Sequence, residues 1–376
     1  MRVLLDVSAV PTRPVGAGVY TIALARGLSA RPDVDLQLLT RRSDTDRWHD
    51  LAPTAALHPL VPNDRASRLV WEQVAGPGVG RRLRPDVWHA PHYTMPLRTN
   101  VTTAVAMHDL TFFDHPEWHE RSKVMYFRRM IAAAARRADV IVTGSHDAER
   151  GLRARFSPPG EIVVIYHGVD HARFSPAGDA AADHAALARH GIVPPYVAFA
   201  STIEPRKDVP SLVRAFSYIA SAHPDLRLVL AGGDGWGVEE ARAAITASGV
   251  ATRVLRPGYL DDAALAAFFR RAEVVAYPSL AEGFGMPALE ALASGAPLVT
   301  TSGSSIEEVV GDAALLVPPA DPVAIAQALE GVLGNPALAA KLRAAGPARA
   351  AGFTWDRSVD AHLDVYRRMV ATAAPS

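Results

Sequence analysis

The sequence contains no cysteine among its 376 residues. This absence excludes disulfide bonds, thiol nucleophiles and cysteine-based zinc sites. No run of about 18 consecutive apolar residues is present, and the short apolar start lacks the long core of a secretory signal, so no membrane-spanning helix is predicted. We therefore expect a cytoplasmic protein whose chemistry depends on groups other than thiols.

An excess of charge is also absent, because 39 Lys and Arg residues balance 39 Asp and Glu residues. A neutral chain without basic stripes interleaved with aromatic residues does not predict nucleic-acid binding. One basic segment contains Arg121, Lys123, Arg128, Arg129, Arg136 and Arg137. Its apolar residues are Met125, Phe127, Met130 and Ile131. We interpret the segment either as a solvated helix face with these apolar residues turned inward, or as a peripheral contact with anionic lipid at the inner face of the membrane.

Short runs rich in Val, Leu and Ile alternate with alanine-rich segments of helical length, six within residues 1–175 and six within residues 190–355. Such runs are typical of buried parallel strands joined by helices. Two series predict an α/β protein of two doubly wound domains with these boundaries, rather than one (β/α)₈ barrel. The segment 356–376 has apolar residues at helical spacing and is predicted to form a closing helix that packs back on the first domain.

A loop with two glycines follows the first strand. Gly16 and Gly18 precede a helical pattern, so backbone N–H groups there can approach an anion at the start of a helix. A tight turn without a ligand is the alternative. The loop lacks the third glycine and the immediate strand-to-turn spacing of a dinucleotide fingerprint, which argues against a nicotinamide-dependent dehydrogenase.

Charged residues follow two strands of the second series, where open parallel sheets bind ligands. Arg206 and Lys207 come after the run YVAFAST, and adjacent cations of these two kinds can neutralise two phosphates. Glu282 lies in the loop after AEVVAYPS, and Glu290 lies early in the next helix. Their carboxylates can accept hydrogen bonds from sugar and ribose hydroxyls. A solvated pair of cations and a helix-capping acid are the alternatives.

These motifs together resemble the GT4-type retaining glycosyltransferases of the GT-B fold, over nearly the whole chain. The resemblance rests on E-x₇-E from Glu282 to Glu290, the Arg-Lys pair, the glycine loop and the closing helix. It implies two Rossmann-like domains that face each other across a cleft. It also implies that Arg206 and Lys207 hold the diphosphate of a nucleotide-sugar donor, that Glu282 contacts the donor sugar, and that Glu290 binds the ribose.

The resemblance assigns roles to further residues. His108, after the run TTAVA, matches the family's histidine near the transferred sugar, and Asp109 matches its neighbour; a capping pair is the alternative. Gly16 and Gly18 would line the opposing wall. Additional donor contacts are implied for Gly233, Leu260, Gly283, Phe284 and Gly285. Ser145 and the turn 167–170 also match family positions, and for both we favour a structural role.

No metal or other cofactor is predicted beside the nucleotide-sugar substrate. Asp33 and Asp35 spell the D-x-D pattern that some transferases use to hold a divalent ion. They precede the second strand, away from the expected cleft, so we interpret them as a solvated turn. Arg206, Lys207 and the dipole of a helix would neutralise the leaving phosphate instead. By resemblance, transfer retains the anomeric configuration, and we favour a same-face substitution.

The opening LLDVSAV, the glycine loop and the His-Asp-Leu segment followed by Pro116 resemble bacterial mannosyltransferases of surface polysaccharide synthesis. GDP-mannose is therefore the favoured donor, with a glycan or a lipid-linked molecule as acceptor. Two departures from the family are His167, where asparagine is more frequent, and Ala281, where a hydroxylated or small residue is more frequent. The alternatives are a GT-B sugar-nucleotide epimerase or hydrolase and a non-catalytic binding module.

Overall fold

The computed structural model describes residues 1–373, so residues 374–376 of the predicted closing segment lie outside the described residues. The chain divides into two compact units. The first comprises Met1–Asp114, Arg121–Gly168 and the chain from Trp355 onward, and the second comprises His115–Glu120 and Val169–Thr354. Residues 169–175, which sequence analysis assigned to the first domain, thus group with the second unit, because Val169 pairs with Thr354.

The first unit is built on a seven-stranded parallel sheet in the order β3-β2-β1-β4-β5-β6-β7. The strands are β1 (Arg2–Asp6), β2 (Asp35–Arg41), β3 (Ala56–Val61), β4 (Val87–Ala90), β5 (Thr103–Ala106), β6 (Val140–Thr143) and β7 (Glu161–Val164). Side chains alternate between the faces of β1, so that Val3 and Leu5 enter one hydrophobic core while Leu4 enters another. Both faces of the sheet are therefore covered, as in a doubly wound fold.

Helices connect these strands. They are α1 (Ala17–Ser29), α2 (Thr45–Leu51), α3 (Arg65–Val74), α4 (Gly76–Leu83), α5 (Thr111–Asp114), α6 (Arg121–Ala135) and α7 (His146–Phe156). Ser145 caps α7, because its hydroxyl accepts a hydrogen bond from the Ala148 N–H at 3.1 Å. This is the structural role that sequence analysis favoured for Ser145.

The second unit has a six-stranded parallel sheet in the order β10-β9-β8-β11-β12-β13. The strands are β8 (Tyr196–Ala200), β9 (Arg227–Ala231), β10 (Val254–Gly258), β11 (Val274–Tyr277), β12 (Leu298–Thr301) and β13 (Leu315–Val317). The helices are α8 (Ala180–Ala188), α9 (Val209–Ile219), α10 (Val238–Ala247), α11 (Asp262–Arg270), α12 (Met286–Ala293), α13 (Ser305–Val310), α14 (Pro322–Leu333) and α15 (Pro336–Ala350). The predicted pair of doubly wound parallel sheets is confirmed.

One strand was not anticipated. β3 lies at the edge of the first sheet and contains His58 and Pro59. Proline lacks a backbone donor and is tolerated at sheet edges. His58 and Pro59 interrupt the apolar residues of this strand, so it lacked the Val-, Leu- and Ile-rich run by which the other twelve were predicted.

The final helix, α16 (Trp355–Ala373), belongs to the first unit. It buries Val359, Leu363, Tyr366 and Met369, whose spacing predicted a helix. A Cβ atom on Gly27 would lie 2.3 Å from the Val359 side chain, so glycine is what lets α1 and α16 approach this closely.

Among the described residues, no single helix is long and apolar enough to cross a membrane. Only α14 and α15 taken together satisfy the length and composition of a span, and they are bent by 97° at their junction.

Candidate active site

A cluster of charged residues lies where the strand order of the second sheet reverses, at β8 and β11. The loop after β8 carries Arg206 and Lys207 in a short 3₁₀ turn, and the loop after β11 carries Glu282. Parallel strands end at the same edge of a sheet, so these loops meet. The reversal point of an open parallel sheet is where such folds bind ligands.

Lys207 is buried in this cluster, with 4% of its surface exposed. Its Nζ donates to the Tyr277 hydroxyl at 2.6 Å and forms an ion pair with the Glu282 carboxylate. Burial lowers the pKa of Lys207, and the neighbouring Arg206 lowers it further, while Glu282 partly offsets both effects. The ammonium therefore depends on Glu282 for its counter-charge.

Glu282 is the centre of the cluster. One carboxylate oxygen accepts hydrogen bonds from Tyr277 Oη at 2.8 Å and from Ser279 Oγ at 2.7 Å, in addition to the Lys207 pair. The other oxygen lies 2.6 Å from Arg206 Nη1. Burial would raise the pKa of Glu282, but the charges of Arg206 and Lys207 outweigh it and hold the pKa well below its usual range. Glu282 is thus ionised at neutral pH.

Arg206 is the more accessible cation, with 18% of its side chain exposed. Its guanidinium also donates to the Ala281 carbonyl at 3.0 Å and to the Glu204 carboxylate at 2.8 Å. A phosphate that approached this loop could replace one of these oxygen acceptors. The guanidinium has five N–H donors, so it could bind the phosphate and keep some of its present hydrogen bonds.

Helix α12 begins directly after the Glu282 loop. Gly285, the residue that precedes it, has φ +91°, and a Cβ atom there would lie 2.9 Å from the Ile306 side chain, so only glycine fits. Gly285 has no side chain to cap this helix start. Pro287 lacks an N–H, and the Ala288 N–H donates to the Gly285 carbonyl at 3.0 Å, so the helix dipole is the main attraction for an anion. Gly283 and Phe284 are buried, and the Phe284 ring packs edge-on against Phe353 at 6.1 Å.

Glu290 lies on α12, one turn into the helix, and is partly buried. Burial raises the pKa of its carboxyl to about 7; the charge of Arg173 opposes this rise and Asp262 adds to it. No such rise was expected from the sequence, because the burial that causes it depends on the tertiary packing around α12. Glu290 is therefore a group that changes its charge near neutral pH.

The loops after β9 and β10 contain the remaining two predicted donor contacts of the second unit. Gly232, rather than Gly233, has the demanding backbone, with φ +129° and a Cβ position 1.9 Å from the Ser201 carbonyl oxygen. Gly233 has open space around its Cβ position. The Gly232 N–H bonds to the Gly258 carbonyl at 2.7 Å, which joins the two loops. Leu260 is buried, so its side chain contributes to the core.

In the first unit, the two loop glycines have different surroundings. Gly16 precedes α1 with φ +46° and ψ −112°, a conformation open to glycine, and its Cβ position faces free space. A Cβ on Gly18 would lie 3.2 Å from Pro14 and 3.3 Å from Pro11, so Gly18 is required for packing of the loop on itself. Gly16 is thus the better candidate for close approach to a ligand.

His108 and Asp109 follow β5. His108 Nε2 lies 2.9 Å from the Pro91 carbonyl oxygen, which only accepts, so Nε2 carries the proton and Nδ1 of the neutral ring is an acceptor. Burial lowers the pKa of His108, although the Pro91 carbonyl and Asp109 oppose this. Asp109 Oδ1 accepts from the N–H of Thr111 at 3.1 Å and from its hydroxyl at 2.7 Å, so it caps α5.

The D-x-D carboxylates are engaged on the surface of the first unit. Asp35 pairs with Arg2 at 2.7 Å, and Asp33 pairs with Arg367 at 2.9 Å. The first pair connects β2 to β1, and the second connects the turn before β2 to α16. Both carboxylates thus have a structural role at the surface.

Two hydroxyls of the cluster, those of Tyr277 and Ser279, were not predicted from the sequence. Both lie in the run AYPS that ends β11, directly before Glu282. Their position at the carboxyl end of a strand, three to five residues before a candidate acid, was the available signal.

Comparison with known proteins agrees with this arrangement. Residues 188–349 match the family described as glycosyl transferases group 1, and residues 14–173 match glycosyltransferase family 4. The O-antigen chain mannosyltransferase B of Escherichia coli is 28% identical over 295 residues, covering 76% of this chain and 75% of that protein. The D-inositol 3-phosphate glycosyltransferase of Acidothermus cellulolyticus is 30% identical over 389 residues, covering 95% and 86%.

Similar solved structures share the fold at lower identity. Anabaena HepE in complex with UDP-glucose superposes with a TM-score of 0.79 at 18% identity, covering 98% of this chain and 100% of that one. The names differ: one relative is called a mannosyltransferase, the other a D-inositol 3-phosphate glycosyltransferase, and HepE was solved with UDP-glucose. Sequence families, relatives and fold agree on one conclusion: the chain is a glycosyltransferase of the GT4 family with the GT-B fold.

Proposed function

We propose that this glycosyltransferase transfers a hexose from a nucleotide-diphosphate sugar, with GDP-mannose the favoured donor, to a glycan or lipid-linked acceptor with retention of configuration. The observation that carries the proposal is the junction of Arg206, Lys207 and Glu282 with the uncapped start of α12. Two cations and a helix N-terminus suit a diphosphate. A carboxylate held beside them suits the hydroxyls of the attached sugar.

In the proposed reaction, the bond between the anomeric carbon and the diphosphate oxygen breaks, and the acceptor oxygen bonds to the same face of the sugar. The leaving phosphate takes the proton of the acceptor hydroxyl. Negative charge builds on the diphosphate as the bond breaks, so Arg206, Lys207 and the dipole of α12 stabilise the transition state more than the ground state. The proposal requires no metal ion for this step.

The remaining assignments follow the resemblance. Glu290 would accept hydrogen bonds from the ribose hydroxyls, and the backbone around Gly233 and Leu260 would contact the nucleotide. In the first unit, His108 Nδ1 is free of a proton and would accept a hydrogen bond from a hydroxyl of the transferred sugar. Asp109 would act on His108 only indirectly, by fixing the loop between them and α5, since one of its oxygens already accepts from Thr111 at the start of α5.

A thermal-shift screen tests the proposal directly. GDP, UDP, dTDP and ADP, each with its hexose conjugates, are added to the protein in chelator. Saturable stabilisation by one diphosphate is expected, of about 2.7 kcal/mol at a ligand concentration 100 times Kd. Failure of every nucleotide to stabilise folded protein would refute the donor site. Analysis of products with the stabilising donor then separates transfer from epimerisation or hydrolysis.

Nucleotide binding is expected to strengthen as pH rises through about 7, because the pKa of Glu290 is raised to about 7 and only the ionised carboxylate offers all its oxygen lone pairs to ribose. Below that pH, binding must first remove a proton, so Kd should rise by up to about tenfold per pH unit. The stability of the unliganded protein follows the opposite trend. Because the pKa of Glu290 is raised on folding, the stability that this group contributes is lost as pH rises through about 7.

Calorimetric titration across this pH range measures the effect. The Glu290→Gln variant is the control, because it retains the shape of the side chain without the titration. Any pH dependence that the variant shares with the natural protein belongs to the nucleotide phosphate, and equal dependence in both proteins would contradict the assignment of Glu290.

We also propose a peripheral contact of α6 with anionic lipid. Met125 is 61% exposed, so the prediction that it turns inward was wrong, whereas Phe127 and Ile131 are buried as predicted. Arg121 and Arg129 are exposed on the same helix. An exposed apolar side chain among cations suits an interfacial helix.

The Arg121→Ala/Arg129→Ala double variant is expected to lose flotation with anionic vesicles, at about 1 kcal/mol per removed cation. Arg128 is left in place because its guanidinium donates to the Phe112 carbonyl at 2.7 Å and the Phe113 carbonyl at 3.0 Å. Zwitterionic vesicles are the control. Equal flotation of the variant and the natural protein would remove the lipid contact.

A further inference from the structure

A chain of hydrogen bonds runs through the core of the first unit. It joins Tyr366 and His362 on α16, Tyr20 on α1 and His89 on β4, all of them at most 1% exposed. Tyr366 Oη is bonded to His89 Nδ1, and Tyr20 Oη lies 2.7 Å from His362 Nε2 and 3.5 Å from His89 Nε2. Three elements that are far apart in sequence thus share one buried polar network.

The geometry fixes where each proton lies. His362 Nδ1 is 2.7 Å from the Ser358 carbonyl oxygen, which can only accept, so Nδ1 carries the proton. His362 Nε2 is then an acceptor, and the Tyr20 hydroxyl must donate to it. Tyr20 Oη can in turn accept from His89 Nε2–H, which leaves His89 Nδ1 to accept from Tyr366. This one arrangement of protons gives a partner to every hydroxyl and ring nitrogen of the network.

All four side chains are uncharged at neutral pH. Burial lowers the pKa of His362 to about 4 and holds the pKa of His89 well below its ordinary value. Burial also raises the pKa of Tyr20 and of Tyr366. A buried neutral network in which every group has a partner holds its members in one geometry.

Tyr20 connects this network to two candidate site features. Its N–H donates to the Gly16 carbonyl at 3.1 Å, which is the first helical hydrogen bond of α1. Its ring meets the His108 ring edge-to-face, with 5.2 Å between centroids and 78° between planes. His108 also bonds to the Pro91 carbonyl and meets the rings of Tyr93 and His167, each with 5.7 Å between centroids, so the Tyr20 contact is the shortest of these ring contacts. The position of Tyr20 therefore fixes the first turn of α1 after the glycine loop and contributes the shortest of these ring contacts that hold His108.

We propose that Tyr20, His362 and Tyr366 are positioning residues, which hold His108 and the glycine loop in the geometry needed for sugar transfer. The inference rests on the proposed function of His108. It means that α16, at the far end of the chain, contributes to the reaction rate through Tyr20 and does more than fill the core.

Phenylalanine variants test this, because Tyr20→Phe keeps the ring against His108 and removes only the hydroxyl. We expect kcat to fall about tenfold or more, since small misplacements of reacting groups cost up to about 10²-fold, while KM for the donor changes little. Tyr366→Phe should act in the same direction, and the double variant should cost no more than Tyr20→Phe alone, because both break one chain.

Tyr196→Phe is the matched control. Tyr196 is likewise a fully buried tyrosine whose hydroxyl makes a hydrogen bond, to the Phe268 carbonyl at 2.8 Å, but it lies in the second unit away from the site residues. It should lower the melting temperature as the Tyr20 variant does and leave kcat unchanged. Equal kcat in the two variants would overturn the positioning role.

Nitrogen NMR of the histidines provides a readout that does not need activity. The expected protons are on His362 Nδ1 and His89 Nε2, and Tyr20→Phe should shift the His108 resonances whereas Tyr196→Phe should not. If the natural protein transferred no sugar from any donor, the proposed function would fail while this measurement still applied. Unchanged His108 resonances in Tyr20→Phe would overturn the inference on its own.

Discussion

Replacement of Glu282 by glutamine is expected to lower sugar transfer by about 10²- to 10³-fold, the scale at which a single transition-state contact acts, and to leave nucleoside diphosphate binding intact or tighter. Glutamine keeps an oxygen for Tyr277 and Ser279 but removes the negative charge that now pairs with Arg206 and Lys207. Both cations then become available to the diphosphate, while the contact with the donor sugar is weakened.

Glu282→Ala is a poorer test of the same residue. Both variants break the buried ion pair with Lys207, at a cost of about 3–5 kcal/mol, but alanine also removes the oxygen that accepts hydrogen bonds from Tyr277 and Ser279. Loss of activity would then report unfolding as well as chemistry. Calorimetry with the diphosphate and turnover with the donor sugar should both be measured on Glu282→Gln.

Glu273→Gln is the control for Glu282→Gln. This exposed acid directly precedes β11, at the opposite end of the same strand. Natural turnover in a folded Glu282→Gln protein would contradict the assignment of Glu282 to the donor sugar.

Arg206→Ala is expected to weaken both binding and turnover. Loss of a charge-assisted hydrogen bond costs about 1.5–3 kcal/mol, which corresponds to roughly 10- to 150-fold in Kd for the diphosphate. Turnover should fall by about 10²-fold or more, because charge on the leaving group grows in the transition state. The fold should tolerate the change better than Glu282→Ala does, since Glu282 keeps its pair with Lys207.

The informative comparison is between a nucleoside and its diphosphate. Arg206→Ala should erase most of the affinity that the phosphates add and leave nucleoside binding unchanged. Arg214→Ala is the control, because Arg214 is an exposed arginine of the adjacent helix α9, bonded to Ser211 Oγ at 3.2 Å. An equal loss of nucleoside and diphosphate affinity would mean that Arg206 shapes the loop and does not bind phosphate.

The fold could be predicted because its signals are local. Twelve of the thirteen strands lie in runs rich in Val, Leu, Ile or Ala, and a run of this kind is typical of a buried parallel strand. The unpredicted strand β3 is an edge strand whose order depends on pairing with β2 rather than on its own residues. The grouping of residues 169–175 with the second unit likewise depends on a partner, Thr354, that is distant in the chain.

The candidate site could be predicted in part. Position at the ends of strands identified Arg206, Lys207 and Glu282, and the structure brings these three together. The sequence did not predict that Glu282 pairs with both Arg206 and Lys207. Whether a cation faces a ligand or an acid depends on the relative orientation of the loops. The same holds for the raised pKa of Glu290 and for the contacts of Tyr20 and His362, which are 342 residues apart.

The placement of α16 has a consequence for how the protein is made. The first unit contains residues up to Gly168 and then the chain from Trp355 onward. Its core is incomplete until α16 has been synthesised, since Val359 and Tyr366 are part of that core. The ribosome must synthesise the 186 residues from Val169 to Thr354 in between, which takes about 10 to 40 seconds at usual elongation rates. During that interval the nascent first unit exposes the apolar groove that α16 later fills, so the order of synthesis makes the second unit the first to complete its core.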